Sequence, residues 1–181
     1  NRHFARSDSF TYQTSDGTNH SNAATVTLTV TPVNDPPDGA GRTVMVLESG
    51  SYTFDVADFG FSDPFDSPPD GFAGVYILTL PDVGSLTAGG VAVAAGQLIS
   101  AADLQAGLLT FTPVPGETGS DYTAFSFRVQ DDGGTGGGGA DLDPTPGTIT
   151  VNVASGIPIA SDDAATTAED TPVTGAVLAN D

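Results

Sequence analysis

The chain of 181 residues contains no cysteine, no tryptophan and no lysine, and its basic side chains are four arginines. Without cysteine there are no disulfide staples, thiol nucleophiles or Cys-based zinc sites. A fold of this composition therefore needs another source of stiffness. So few cations set against 23 acidic residues, for a net charge of -19, exclude a grip on nucleic acid and attraction to anionic membrane surfaces. No apolar run approaches the roughly 18 residues of a membrane-spanning helix. The first residues, Asn1 to Phe4, lack the charged and apolar regions of a signal peptide, so the chain reads as an internal piece of something longer.

What is present is backbone punctuation and aspartate. The 23 glycines and 13 prolines disfavour long helices and suit many short strands joined by turns. Internal similarity orders them. SDSFTYQTSDG, from Ser7 to Gly17, matches YTAFSFRVQDDG, from Tyr122 to Gly133, and AATVTLTV, from Ala23 to Val30, matches PGTITVNV, from Pro146 to Val153. One hairpin thus occurs twice, the second time with a glycine-rich insertion that reads as a flexible loop. LESGSYTF, from Leu47 to Phe54, likewise resembles AEDTPVT, from Ala168 to Thr174.

These matches define a repeat of about 120 residues. Residues 1–35 read as the C-terminal hairpin and linker of one unit, residues 36–155 as a complete unit, and residues 156–181 as the start of a third. Proline marks both junctions, in Pro32 to Pro37 and Ile157 to Asp163, where it keeps the linker extended.

Within the complete unit, strands are expected at Thr43–Leu47, Ser51–Val56, Gly74–Leu80, Val91–Val93, Leu108–Thr112, Tyr122–Val129 and Thr148–Val153. Phe125, Phe127 and Val129 alternate with Ser126 and Arg128, the period of two that puts one face in a core. The architecture implied is an all-β sandwich of two sheets. One helical turn is expected at Ser100–Ala106, capped by Ser100 with Asp103 in its first turn. Phe10, Tyr12, Phe54, Phe59, Phe61, Phe111, Phe125 and Phe127 read as core residues.

ADFGFSDP (Ala57 to Pro64), VAVAAGQLISAADLQAGLLTFTP (Val91 to Pro113), FSFRVQDDGG (Phe125 to Gly134) and EDTPVTGAVLAND (Glu169 to Asp181) resemble the cadherin-like and Ig-like tandem repeats of large bacterial surface adhesins of the RTX and VCBS-repeat type. The resemblance implies a Greek-key sandwich and a secreted or surface-anchored spacer. Its partners would be neighbouring repeats of the same chain, with any host-cell or extracellular-matrix ligand taken by other domains. It also implies Ca²⁺ at the joints between units. By position, Glu48 and Glu169 would be the early acids of their units, Asp16 and Asp131 with Asp132 the late turn acids, and Asn34 and Asp35 the linker ligands, with Asp63 and Asp66 completing the first joint. The second junction, ASGIPIASDD, departs from the pattern because no Asn-Asp pair precedes its proline.

The residues themselves point to the same ion. Twenty of the acids are Asp, and they gather at turns and junctions. Short carboxylates, Asn side chains and turn carbonyls are the oxygen donors a hard cation such as Ca²⁺ collects, six to eight at a time. Asp-Gly and Asp-Pro are also ordinary turn chemistry, which supplies the competing account of each residue taken singly.

Other chemistry finds little support. Gly134 to Gly139 satisfies G-x-G-x-x-G, but the prolines that follow forbid the helix a phosphate site requires. His3 and His20 have no metal-ligand spacing. Glu48 and Glu117 are the sole Glu residues of the complete unit and lack the aromatic flanks of a sugar platform, so no enzyme is expected. The alternative is a carbohydrate- or protein-binding sandwich, accessory to an extracellular enzyme, against which the shortage of Tyr and Arg weighs.

Overall fold

A computed structural model describes residues 6–156 and 169–170. The expected third unit, residues 156–181, therefore lies almost wholly outside the described residues. Three sheets carry the described residues. The first is the hairpin of β1 (Arg6–Tyr12) and β2 (Ala24–Val30). Its register sets Phe10 opposite Val26 and Asp8 opposite Leu28.

From Arg42 onward two sheets face each other. The five-stranded sheet contains β3 (Arg42–Leu47), β5 (Phe72–Ile77), β8 (Gln97–Ser100), β10 (Gly119–Asp131) and β11 (Gly147–Ala154), in the order β3-β11-β10-β5-β8. The four-stranded sheet contains β4 (Tyr52–Thr53), β6 (Ser85–Ala88), β7 (Val91–Ala92) and β9 (Leu109–Thr112), in the order β4-β9-β6-β7. All pairings are antiparallel except β3 with β11, which run parallel. The result is an all-β sandwich.

Alternation makes the core. Along β10, Phe125, Phe127 and Val129 point inward, and along β11 Ile149, Val151 and Val153 do the same, while Ser126, Arg128 and Thr150 face outward. Phe125 stands edge-on to Phe54 with centroids 5.4 Å apart, and Phe127 meets Phe59 at 4.9 Å. Each fully buried aromatic or aliphatic side chain contributes roughly 1.5–3 kcal/mol relative to exposure, and the edge-on contacts add a smaller term.

The expected helical turn is α1 (Ala101–Gln105). Ser100 Oγ accepts from Asp103 N and the Asp103 carboxylate accepts from Ser100 N, a reciprocal capping box. The expected strand at Ser51–Val56 is cut to two residues, because Asp55 and Asp58 form a second capping box that turns Val56–Phe59 into a 3₁₀ helix. Strands β6 and β8 carry no clear alternation and were not expected from the sequence. Each is held by pairing, β6 on β9 and β8 on β5.

The aromatic expectation needs one correction. Phe54, Phe59, Phe111, Phe125 and Phe127 are buried and Phe61 packs against the core, but Phe10 is 54% and Tyr12 51% exposed. A hairpin buries its apolar face only against a second layer, and none covers β1–β2 among the described residues.

Candidate metal centre

The linker and three loops converge at one end of the sandwich. Asp38 and Ser62 exchange both backbone hydrogen bonds at 2.8 Å, which lays the linker against the segment that follows the 3₁₀ helix. Asp63 comes next, and its Oδ2 accepts from Asp70 N at 2.6 Å, closing the loop 63–70 on itself. Asp66 Oδ2 accepts from Asp35 N at 2.8 Å. On the opposite side, Asp132 Oδ1 accepts from Gly71 N at 2.6 Å and Asp132 N donates to Gly71 O at 2.9 Å. The end of β10 is thereby fixed beside that loop.

These bonds bring carboxylates together. One oxygen each from Asp63, Asp66 and Asp70 lies within 4.8 Å of the other two. A methyl group built on Gly133 would land on both Asn34 Oδ1 and Asp70 Oδ2, so these oxygens close on one point in space. Burial pushes the Asp70 carboxyl above the usual range, and the charges of Asp66, Asp63 and Asp132 push it further. Burial does the same to Asp131, reinforced by Asp70 and Asp63 and opposed by hydrogen bonds from Asn34 and Gly133. In both, burial is the largest cause and like charge from neighbouring carboxylates adds to it. A single pair at 4 Å costs about 1 kcal/mol in water and about 4 kcal/mol near a protein surface.

Three buried oxygens of this region have no hydrogen-bond partner among the described residues: Asn34 Oδ1, Asp63 Oδ1 and Asp131 Oδ2. Asp63 and Asp131 are only 6% and 2% exposed, so solvent does not readily serve them. The orientation of the Asn34 amide is fixed by its other end. Its Nδ2 faces Asp131 Oδ1 at 2.9 Å, Ala140 O at 2.9 Å and Gly134 O at 3.1 Å, all acceptors. The carbonyl must then point at the carboxylates. Among the described residues no ion pair reaches Asp63, Asp70 or Asp131; Arg42 is committed to Asp58 at 2.9 Å.

An all-oxygen donor set of short carboxylates and one amide carbonyl suits a hard cation. The absence of nitrogen and sulfur ligands disfavours zinc and copper. Asn34, Asp63, Asp66, Asp70 and Asp131 supply side-chain oxygens, and Asp132 and Asp35 stand at the rim.

Asn34, Asp35, Asp63 and Asp66, expected at the first joint, are thus brought together, and Asp131 and Asp132, expected as late turn acids of the complete unit, join them there. Glu48 and Asp16 lie elsewhere. Glu48 follows β3, where its N–H donates to Ala154 O at the far end of β11. Counting along β10 and β11, that end lies roughly 35 Å from Asp131. Parallel pairing of β3 with β11 carries Glu48 away from the linker. Asp16 sits at the tip of the first hairpin, away from the linker. Its Oδ1 accepts from Asn19 N at 2.7 Å and Thr18 N at 2.9 Å, bonds that lower its pKa. Asp16 is a turn residue here. Glu169 is exposed in a turn whose flanking residues lie outside the described ones.

One member was missed. Asp70 ends the run Asp63-x-x-Asp66-x-x-x-Asp70, a spacing of acids that was the signal available in the sequence. The other acids of the region have structural tasks. Asp143, 2% exposed, accepts from Gly39 N at 2.8 Å and Thr145 N at 2.7 Å, and Asp141 accepts from Gln130 Nε2 at 3.0 Å.

No protein-family model, curated protein or solved structure matches this chain.

Proposed function

We propose that the chain is a spacer segment of a secreted or surface-anchored bacterial adhesin, in which Ca²⁺ held by Asn34, Asp63, Asp66, Asp70 and Asp131 locks the linker onto the sandwich that follows it. The observation that carries this reading is the set of three buried, partnerless oxygens, Asn34 Oδ1, Asp63 Oδ1 and Asp131 Oδ2. Buried acceptors are ordinarily satisfied, and leaving one unsatisfied costs about 1–3 kcal/mol, more when it is charged. A divalent cation satisfies all three and cancels the repulsion among the carboxylates.

Ca²⁺ fits better than Mg²⁺, since the donors come from separate loops and do not impose the strict octahedron Mg²⁺ demands. The role is mechanical. Asn34 and Asp35 belong to the linker and the other ligands to the unit after it, so an ion between them fixes the direction in which the chain enters the sandwich. The repeated hairpin supports a string of such units. Its Phe10, Tyr12, Val26, Leu28 and Val30 occupy the positions that Phe125, Phe127, Ile149, Val151 and Val153 fill in the core of the second copy. Isothermal titration of residues 1–181 with CaCl₂ tests the reading. Saturable binding with a Kd of about 10⁻⁴–10⁻³ M, the range of extracellular modules, supports it. An absence of heat at millimolar calcium overturns it.

A further inference from the structure

The glycine-rich insertion of the second hairpin, expected to be a flexible loop, is engaged with the linker. Ala140 N donates to Asn34 O at 3.0 Å, and Asn34 Nδ2 faces Ala140 O at 2.9 Å and Gly134 O at 3.1 Å. Linker residue Asn34 is therefore bonded to the insertion through both its backbone and its side chain. A Cβ on Gly137 would approach Val33 Cγ1 at 3.2 Å, and a Cβ on Gly139 would sit 3.0 Å from the N, Cβ and O of Asn34. The first hairpin has no counterpart. Its turn is closed by a bridge between Ser15 and His20.

The glycines differ in what demands them. Gly134, Gly137 and Gly138 have φ of 77°, 66° and 93°, the left-handed region that favours glycine. Gly139 has φ -66° and ψ 169°, a conformation open to any residue. Only the closeness of Asn34 requires glycine there.

We propose that residues Gly133–Ala140 form a clasp that captures the linker and aims the Asn34 carbonyl at the carboxylate cluster, with Gly139 as a positioning residue that is not itself a ligand. The part of this proposal that concerns ion affinity rests on the calcium reading; the capture of the linker does not. Held by the clasp, Asn34 is already oriented before an ion arrives, so less ordering remains to be done on binding. Partners that orient a ligand without touching the metal typically alter affinity by about 10–100-fold.

The test compares three forms of the 181-residue chain: wild type, Gly139→Val and Gly136→Ala. Gly136 faces open space and has no positive φ, so its methyl group meets nothing. Two measurements are made, calcium affinity by titration and hydrogen exchange at the Ala140 amide without metal. Gly139→Val is expected to weaken calcium binding about tenfold or more and to bring Ala140 exchange to the rate of an open loop, with exchange in β5 and β10 unchanged. Gly136→Ala should match wild type in both. Gly139→Ala, a smaller intrusion, replaces Gly139→Val if the latter does not fold. Wild-type protection at Ala140 in the Gly139 variant overturns the clasp. If wild type binds no calcium, the calcium reading fails, and the exchange measurement still decides whether the linker is clasped.

Discussion

Asn34 and Asp131 stand 97 positions apart, yet Asn34 Nδ2 donates to Asp131 Oδ1 at 2.9 Å while Asn34 Oδ1 and Asp131 Oδ2 find no partner among the described residues. A hydrogen bond that pins one end of each group and leaves two acceptors buried and unmet is the arrangement a cation completes. Several consequences can be measured.

Calcium should raise the melting temperature. At a free concentration one hundred times Kd, a ligand that binds only the folded state adds about 2.7 kcal/mol. For a chain of this size that corresponds to about 5–11 °C. Differential scanning calorimetry in chelator and in calcium at one hundred times the titrated Kd checks it, and coincident transitions would count against the site.

Gly133→Ala should abolish calcium binding, since its methyl group would occupy the place where Asn34 Oδ1 and Asp70 Oδ2 converge. The core lies elsewhere, so near-UV circular dichroism should retain the wild-type signal. Calcium affinity equal to wild type would show that the ion, if any, sits at another point.

Asp70→Asn should raise the melting temperature of the metal-free protein and shrink the increment produced by calcium. Its carboxyl is disfavoured in the charged form by burial and by Asp66, Asp63 and Asp132, so removing the charge relieves the folded state. A thermal shift assay with and without calcium reads both effects, and a lower metal-free melting temperature would contradict the argument.

Acidification should act in opposite directions on the two forms. Asp70 and Asp131 have raised pKa values in the folded state, so the folded protein holds their protons more firmly than the unfolded chain does. Their destabilising contribution is fully present above the folded pKa values. It disappears as pH falls through them toward the ordinary value of 3.8. Without metal, the contribution of these two groups thus favours the folded state as pH drops from 7 into that window. With calcium, protons compete for the ligands and the increment shrinks. Melting temperatures at a series of pH values with and without calcium should converge toward acid; curves that remain parallel would argue against a carboxylate-held ion.

Phe125→Ala should destabilise the sandwich by about 3–5 kcal/mol, the usual cost of emptying a buried aromatic site. Phe125 is 1% exposed and packs edge-on against Phe54. The same change at Phe10, half exposed on the first hairpin, should leave the melting of the sandwich nearly unchanged. Comparable losses at both positions in chemical denaturation would mean that the hairpin face is covered after all.

The sandwich was legible in the sequence where alternation is strict, as in Phe125-x-Phe127-x-Val129 and Ile149-x-Val151-x-Val153, because a period of two assigns each side chain to a face before any partner is known. Ser100 and Asp103 announced α1 for a similar reason, since a cap is a local bond. Strands β6 and β8 were not legible because cross-strand pairing, and not their own pattern, holds them. At the candidate metal site, composition and clustering brought Asn34, Asp63, Asp66 and Asp131 into view, but only the tertiary structure separated them from Glu48 and Asp16 and added Asp70. Which end of a sheet a residue occupies depends on strand direction, and the parallel pairing of β3 with β11 is a long-range relation that no local spacing records. Carboxylate chemistry is written in the residues; whether a given carboxylate is left without a partner is decided by the neighbours that folding supplies.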